Sequence, residues 1–185
     1  VKYVLKTDNG ELSGSQLQYN ADGKPKTDNM NGTLTLFYES GAKMADIPYK
    51  NGVQNGEIKT YFEESGAVNE VSEVQNGKRD GSYAEYDANG KKITEATYKN
   101  GELNGYLRLY YDNNQPLAQV PYKNGVISGE ASAFDQNGNK IYSMRFANNK
   151  PEGIRTAYYP DGKVKYTKNY KGGIWDGKSY KEYDE

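Results

Sequence analysis

Short stretches of alternating polar and apolar residues run through this chain. Tyr106-Leu107-Arg108-Leu109-Tyr110-Tyr111 is aromatic-rich and β-prone, and similar stretches recur before and after it. One parity carries Leu34 and Leu36, Ile58, Leu107 and Leu109, and Ala131 and Ala133. The other carries Ser82, Ala84 and Tyr86, or Glu130, Ser132 and Phe134: small or polar positions that close on an aromatic. A period of two is the period of a strand. A second β-prone segment follows each first one, as in Lys91-Lys92-Ile93-Thr94-Glu95-Ala96-Thr97-Tyr98. No segment sustains an apolar stripe of period 3.6, so no helix is predicted. Neither parity is apolar throughout, and neither face is expected to be wholly buried.

The connections are as regular as the strands. Asp22-Gly23, Asp87-Ala88-Asn89-Gly90, Asp135-Gln136-Asn137-Gly138 and Asp161-Gly162 carry turn chemistry, with Asp112-Asn113-Asn114-Gln115 in the same slot. Asp bonds its own backbone there while Gly or Asn accepts a positive φ. After the return segment comes Lys-Asn-Gly-x-x-Asn-Gly, and Asn-Gly is a strong hairpin signal. Every link is short, so sequence neighbours must pair antiparallel, giving one continuous meander.

A fixed spacing ties these units together. Glycines at 14, 32, 56, 81, 105, 129, 153 and 177 lie 18, 24, 25, 24, 24, 24 and 24 residues apart. Such a period marks stacked supersecondary units, each too small to bury a face alone. The expected fold is all-β: an elongated, single-layer, twisted antiparallel meander of about seven to eight repeating β-hairpins, a single array over residues 1–185. Gly105 is expected at a turn needing an unusual φ or a close approach. Pro48 and Pro121 share a column, and proline cannot donate to a ladder, so that column belongs at a bulge or strand end. The first return strand is shortened, since Gly23 and Gly32 stand unusually close. Polar residues at both ends, Gln16 and Gln18, then Ser179 and Lys181, replace the aliphatic parity and are read as caps of the stack.

Composition supports order without a thick core. Only 35% of residues are hydrophobic and mean hydropathy is -1.03, yet 13% are aromatic and 19 are Tyr. Rings lying across a sheet with one edge wet satisfy both facts. With no Cys and no His, disulfides, thiolate nucleophiles, His-activated nucleophiles and the commonest metal ligands are excluded. Net charge is -1, so no bulk basic field points to nucleic acid. No apolar run approaches the roughly 18 residues of a membrane span. The chain opens on Val1 and not Met, so a fragment or processed form is expected, secreted, periplasmic or surface-exposed with its signal removed, otherwise cytoplasmic.

Tyr98-Lys99-Asn100-Gly101-Glu102-Leu103-Asn104-Gly105, with Tyr110 downstream, shows the Tyr-x-x-Gly-x-x-x-Gly phrase at its clearest. That phrase, repeated over essentially the whole chain, resembles the MORN repeat in its bacterial variant form. The resemblance implies an elongated, twisted sheet of hairpins. Proteins of that variant class are often labelled YwqK-type antitoxins, so it further implies a bacterial protein that neutralises a toxin. Departures are Val74 for the anchor Tyr, Asn148-Asn149 for Asn-Gly, and Glu182 for the downstream aromatic.

Two columns are candidate contact residues. Tyr61, Tyr86, Tyr110, Phe134 and Tyr158, preceded by Tyr19 and Phe37, form an aromatic column suited to a protein partner as well as to sheet stability. Lys50, Lys99, Lys123 and Lys171 would set ammonium groups at repeat intervals for anionic lipid or glycan; the plainer reading is that they solubilise turns. Asp135-Gln136-Asn137-Gly138-Asn139 looks like a calcium loop, but Lys140 and Phe146 stand where Gly and Glu are required, and a hairpin turn accounts for it. Trp175 closes the end of the stack or anchors a partner, closure being preferred. Glu63 and Glu64 lie in a turn without a paired acid, and no phosphate-cradling loop opens a helix, so no catalytic residue, metal or cofactor is expected. The expectation is a non-enzymatic protein presenting a β surface to a protein partner. The alternative is attachment to a membrane or glycan surface, and exposed strand edges invite a homodimer.

Overall fold

A computed structural model describes residues 2–7, 10–13, 19–177 and 180–183. Gly14, Gln16, Gln18 and Ser179 lie outside the described residues. No helix occurs among the described residues; every element is an antiparallel strand. The chain divides into two units, Val1–Lys91 and Lys92–Glu185. The first holds β1 (Lys2–Thr7), β2 (Gly10–Ser13), β3 (Gly32–Phe37), β4 (Lys43–Lys50), β5 (Val53–Gln54), β6 (Gly56–Tyr61), β7 (Val68–Gln75) and β8 (Lys78–Tyr86). The second holds β9 (Lys92–Lys99), β10 (Glu102–Leu103), β11 (Gly105–Tyr110), β12 (Pro116–Lys123), β13 (Val126–Ile127), β14 (Gly129–Phe134), β15 (Lys140–Ala147), β16 (Lys150–Tyr158), β17 (Val164–Lys171), β18 (Ile174–Trp175) and β19 (Lys181–Glu182).

Both kinds of connection form as the residues dictate. At Lys-Asn-Gly the two central residues have positive φ, 53° at Asn100 and 91° at Gly101, the geometry whose twist matches that of strands. At the opposite end, Asp87 Oδ1 accepts from the amides of Asn89 (2.9 Å) and Lys91 (2.8 Å). Asp135 Oδ1 does the same with Asn137 and Asn139, and Asn139 Nδ2 donates to its other oxygen. That run is therefore a hairpin turn, as its residues indicated.

The repeating glycine marks a step in the ladder. β4 pairs β5 at Tyr49↔Gln54 but β6 at Ala45↔Thr60, so the outgoing strand carries two extra residues there. An even surplus leaves the side-chain parity intact on each face. Gly105 takes φ +138, and a Cβ on it would lie 3.0 Å from Thr97 Cβ. Pro48 and Pro121 stand opposite these steps, where their carbonyls accept from Asn55 (3.0 Å) and Ser128 (3.1 Å). Their missing N–H faces the interruption, so no ladder bond is lost.

Two places depart from the uniform meander. β3 pairs with β1 and not with β2, which lies on β1's other side. Between β2 and β3 the described residues hold only the bridge Tyr19↔Pro25. The shortened segment before Gly32 is too brief to supply a return strand, so β1 takes that place. At the other end β17 pairs β18 at Tyr170↔Trp175 and β19 at Tyr166↔Glu182, a surplus of three. An odd surplus flips the parity. Lys181 therefore pairs with Thr167 on the tyrosine-bearing face, not on the aliphatic face where the uniform period puts it.

Burial is shallow, as a single layer requires. No large side chain among the described residues is fully buried. The one compact cluster among the described residues is Met30 and Leu34, with Leu36 and Tyr49 packed against it, in the first unit.

Candidate functional site

Each unit presents two faces. Paired residues share a face, so the register reads out its rows. On the tyrosine face of the first unit the central row is Thr35, Asp46, Lys59, Val71 and Ala84. In the second it is Glu95, Arg108, Gln119, Ser132, Ser143, Thr156, Thr167 and Lys181.

All five candidate aromatics, Tyr61, Tyr86, Tyr110, Phe134 and Tyr158, end their strands half-buried on this face. Three are tied by their hydroxyls to the central row. Tyr61 donates to Asp46 Oδ2 at 2.8 Å, a residue 15 positions earlier, and Tyr158 meets Ser143 Oγ at 3.1 Å with the same separation. Tyr110 bonds Glu95. At the equivalent position Val71 offers Tyr86 no acceptor, and Phe134 has no hydroxyl to give. The column is thus a set of braced rings, and its structural role is evident in the geometry.

The carboxylates in this row are strongly held. Asp46 accepts from Thr35 Oγ1 (2.7 Å), Lys43 Nζ (3.0 Å) and Tyr61. Burial raises its pKa, but these three donors outweigh it and hold the carboxyl below its ordinary range. Burial, then the hydrogen bond to Asp46, push Tyr61 up to about 12. Glu95 accepts from Lys92 (2.9 Å) and Arg108 (2.8 Å) as well as Tyr110. Burial is again overcome, and its carboxyl falls to about 2. Around Asp46 lies an open groove of about 450 Å³ lined by Thr33, Phe37, Glu57, Lys59 and Tyr61 among others. Its charges are already paired: Lys43 with Asp46, and Lys59 with Glu57 at 2.7 Å.

The aliphatic face differs between units. In the first, its row Leu36, Ala45, Thr60, Glu70, Glu85 ends on two carboxylates, and Arg79 pairs with Glu70 at 2.7 Å. In the second the row runs Thr94, Leu109, Ala118, Ala133, Tyr142, Ala157, Tyr166, with no charge until Glu182. Leu109 is 36% and Tyr142 38% exposed. Beside it the next row holds Ala131, Met144, Arg155 and Lys168. The Arg155 guanidinium lies 4.8 Å from the Tyr142 ring and 6.0 Å from that of Tyr166.

Lys50, Lys99, Lys123 and Lys171 each end a return strand and are exposed. None of the four makes an ion pair among the described residues. Trp175, 42% exposed, lies over Lys168 with its centroid 5.0 Å from Nζ. Sequence reasoning missed a second tyrosine set. Tyr38 and Tyr111 donate to the carbonyls of Tyr61 (2.9 Å) and Phe134 (2.8 Å), 23 residues on, and Tyr159 donates to that of Tyr183. These clamp one repeat to the next, and the only cue is a Tyr recurring just after the aromatic column.

Fold and faces together define a class: a repeat protein of open antiparallel hairpins, whose grooves among the described residues are open to solvent. Comparison with known families finds one repeat model that matches part of the chain. The MORN repeat variant matches residues 30–51, 79–100, 103–124 and 151–171. Four copies match where seven or eight were expected. The unmatched copies include those carrying Val74 and Asn148-Asn149, yet β6–β7 and β14–β15 pair there as elsewhere. No curated protein matches the chain.

Proposed function

We propose that this is a non-enzymatic binding protein whose second unit docks a protein partner on its aliphatic face. The carrying observation is the unbroken row from Leu109 to Tyr166, apolar, partly exposed and free of charge. An exposed apolar sheet face of this kind marks an interaction surface. Its alanines let a partner approach closely, and Arg155 and Lys168 alongside favour a partner that brings carboxylates among apolar residues. MORN repeats generally serve in binding to proteins or membranes, which accords with this reading. The antitoxin version makes the partner a toxic protein that the face neutralises, in a bacterial cell.

A photo-crosslinking residue placed at Tyr142 tests the proposal against the same residue at Tyr158 on the opposite face. An adduct with one protein is expected from Tyr142 only, and Ala133→Asp should abolish it while leaving the circular dichroism unchanged. Equal labelling from both faces, or an adduct indifferent to A133D, would overturn the assignment. The second reading, attachment to an anionic lipid or glycan surface, draws on the exposed Lys50, Lys99, Lys123 and Lys171, which make no ion pair among the described residues. It requires vesicle or glycan binding that vanishes above about 0.3 M salt.

A further inference from the structure

The C-terminal end of the second unit's aliphatic face gathers three aromatic rings around one cation. Lys168 Nζ stands 5.6 Å from the Tyr166 ring centroid, 5.0 Å from Trp175 and 5.5 Å from Tyr180. The Tyr166 and Tyr180 centroids are 5.7 Å apart with their planes inclined by 36°, so the rings form walls and not a flat stack. Trp175 and Tyr180 are 42% and 45% exposed, which leaves the cage open to solvent. Neither Lys168 nor Arg155 has an ion-pair partner among the described residues. Glu182, which faces Tyr166 across the ladder and hydrogen-bonds Tyr180, is the carboxylate beside the cage, and neither cation makes an ion pair with it. A cation enclosed by rings is not explained by stapling the last strands alone.

We propose that this cage is a binding site for a quaternary ammonium group, specifically a phosphocholine-type ligand, and that Lys168 occupies it as a displaceable placeholder. Ring faces attract cations through their quadrupole, and three converging rings are the arrangement that recognises quaternary ammonium. The separations of 5.0 to 5.6 Å are long for a bare ammonium and leave about a methyl group's thickness on each side. A lysine ammonium is strongly hydrated and sits on a flexible stem. A tetraalkylated nitrogen gives up little hydration on entering, so it gains more from the same rings. Arg155, within 6.0 Å of the Tyr166 ring, supplies the positive group that a neighbouring phosphate needs.

Trp175 is the only Trp, so its fluorescence reports this site directly. Titration with tetramethylammonium should give a saturable change, and Lys168→Met, which vacates the cage, should tighten binding about tenfold. Phosphocholine should bind several-fold better than choline, and Arg155→Gln should erase that difference. In Trp175→Leu, with circular dichroism unchanged, broadening of the ligand's methyl resonance should disappear. An equal response to ammonium chloride at matched ionic strength, no saturable response in K168M, or binding to phosphatidylcholine vesicles without binding of free phosphocholine would each overturn the proposal.

Discussion

The two units are built from the same hairpins and spend their side chains differently. The first concentrates what core there is, with Met30 and Leu34 buried against Leu36 and Tyr49, and its aliphatic row ends on Glu70 and Glu85. The second spreads its apolar residues along an uncovered row and adds exposed Ile93, Tyr106, Ile154 and Ile174. Charge divides the same way. Fourteen Lys and Arg face eleven Asp and Glu in the second unit, against ten and fourteen in the first. The turns hold the ladder in both, so the rows between them are free to diverge. Architecture is local here, and specialisation lies in the faces.

The largest expected effect separates the two kinds of burial. Leu34→Ala should cost about 2–4 kcal/mol, because Leu34 is 4% exposed in the cluster, while Leu109→Ala should cost under about 1 kcal/mol. Chemical denaturation of both variants checks this, and equal costs would erase the distinction between a packed first unit and an open second. The next contrast lies within the second unit. Gly105→Val forces a side chain onto a positive φ and into Thr97, at about 1–3 kcal/mol. Ser132→Val should change stability by less than about 1 kcal/mol, since the buried Ser132 Oγ has no hydrogen-bond partner among the described residues to lose. Equal melting temperatures would contradict the step geometry.

The smallest effect is electrostatic. Glu95 titrates lower in the fold than in the free chain, so its contribution is complete above its ordinary value of 4.5 and is lost as pH falls toward about 2. Acid titration of stability should therefore show a decline across that window which Glu95→Gln flattens. Asp46 is lowered too, so Asp46→Asn should flatten the same acid limb in the first unit. An unchanged acid limb in both variants would mean that the tyrosine-face carboxylates do not hold the rings.

Much of this molecule was legible in advance because its strongest signals are local. Asn100-Gly101 needs no distant partner to adopt two positive φ angles, and Asp87 satisfies its own turn. Alternation then put Tyr61, Tyr110 and Tyr158 on one face and Leu109 on the other. The candidate site was less legible. That Tyr61 is braced by Asp46, and Tyr110 by Glu95, depends on which residue a neighbouring strand happens to set beside the ring.

Periodicity by itself determined the strands, the two turn types, the glycine steps and the separation into two faces, since each follows from backbone conformation within a few residues. Tertiary pairing alone decided that β1 stands between β2 and β3, and that an odd surplus turns Lys181 to the tyrosine face. It also decided that Tyr166, Trp175 and Tyr180 meet around Lys168. These are relations between strands, set by register, and a shift of one residue would rewrite every one of them while leaving the local sequence rules satisfied.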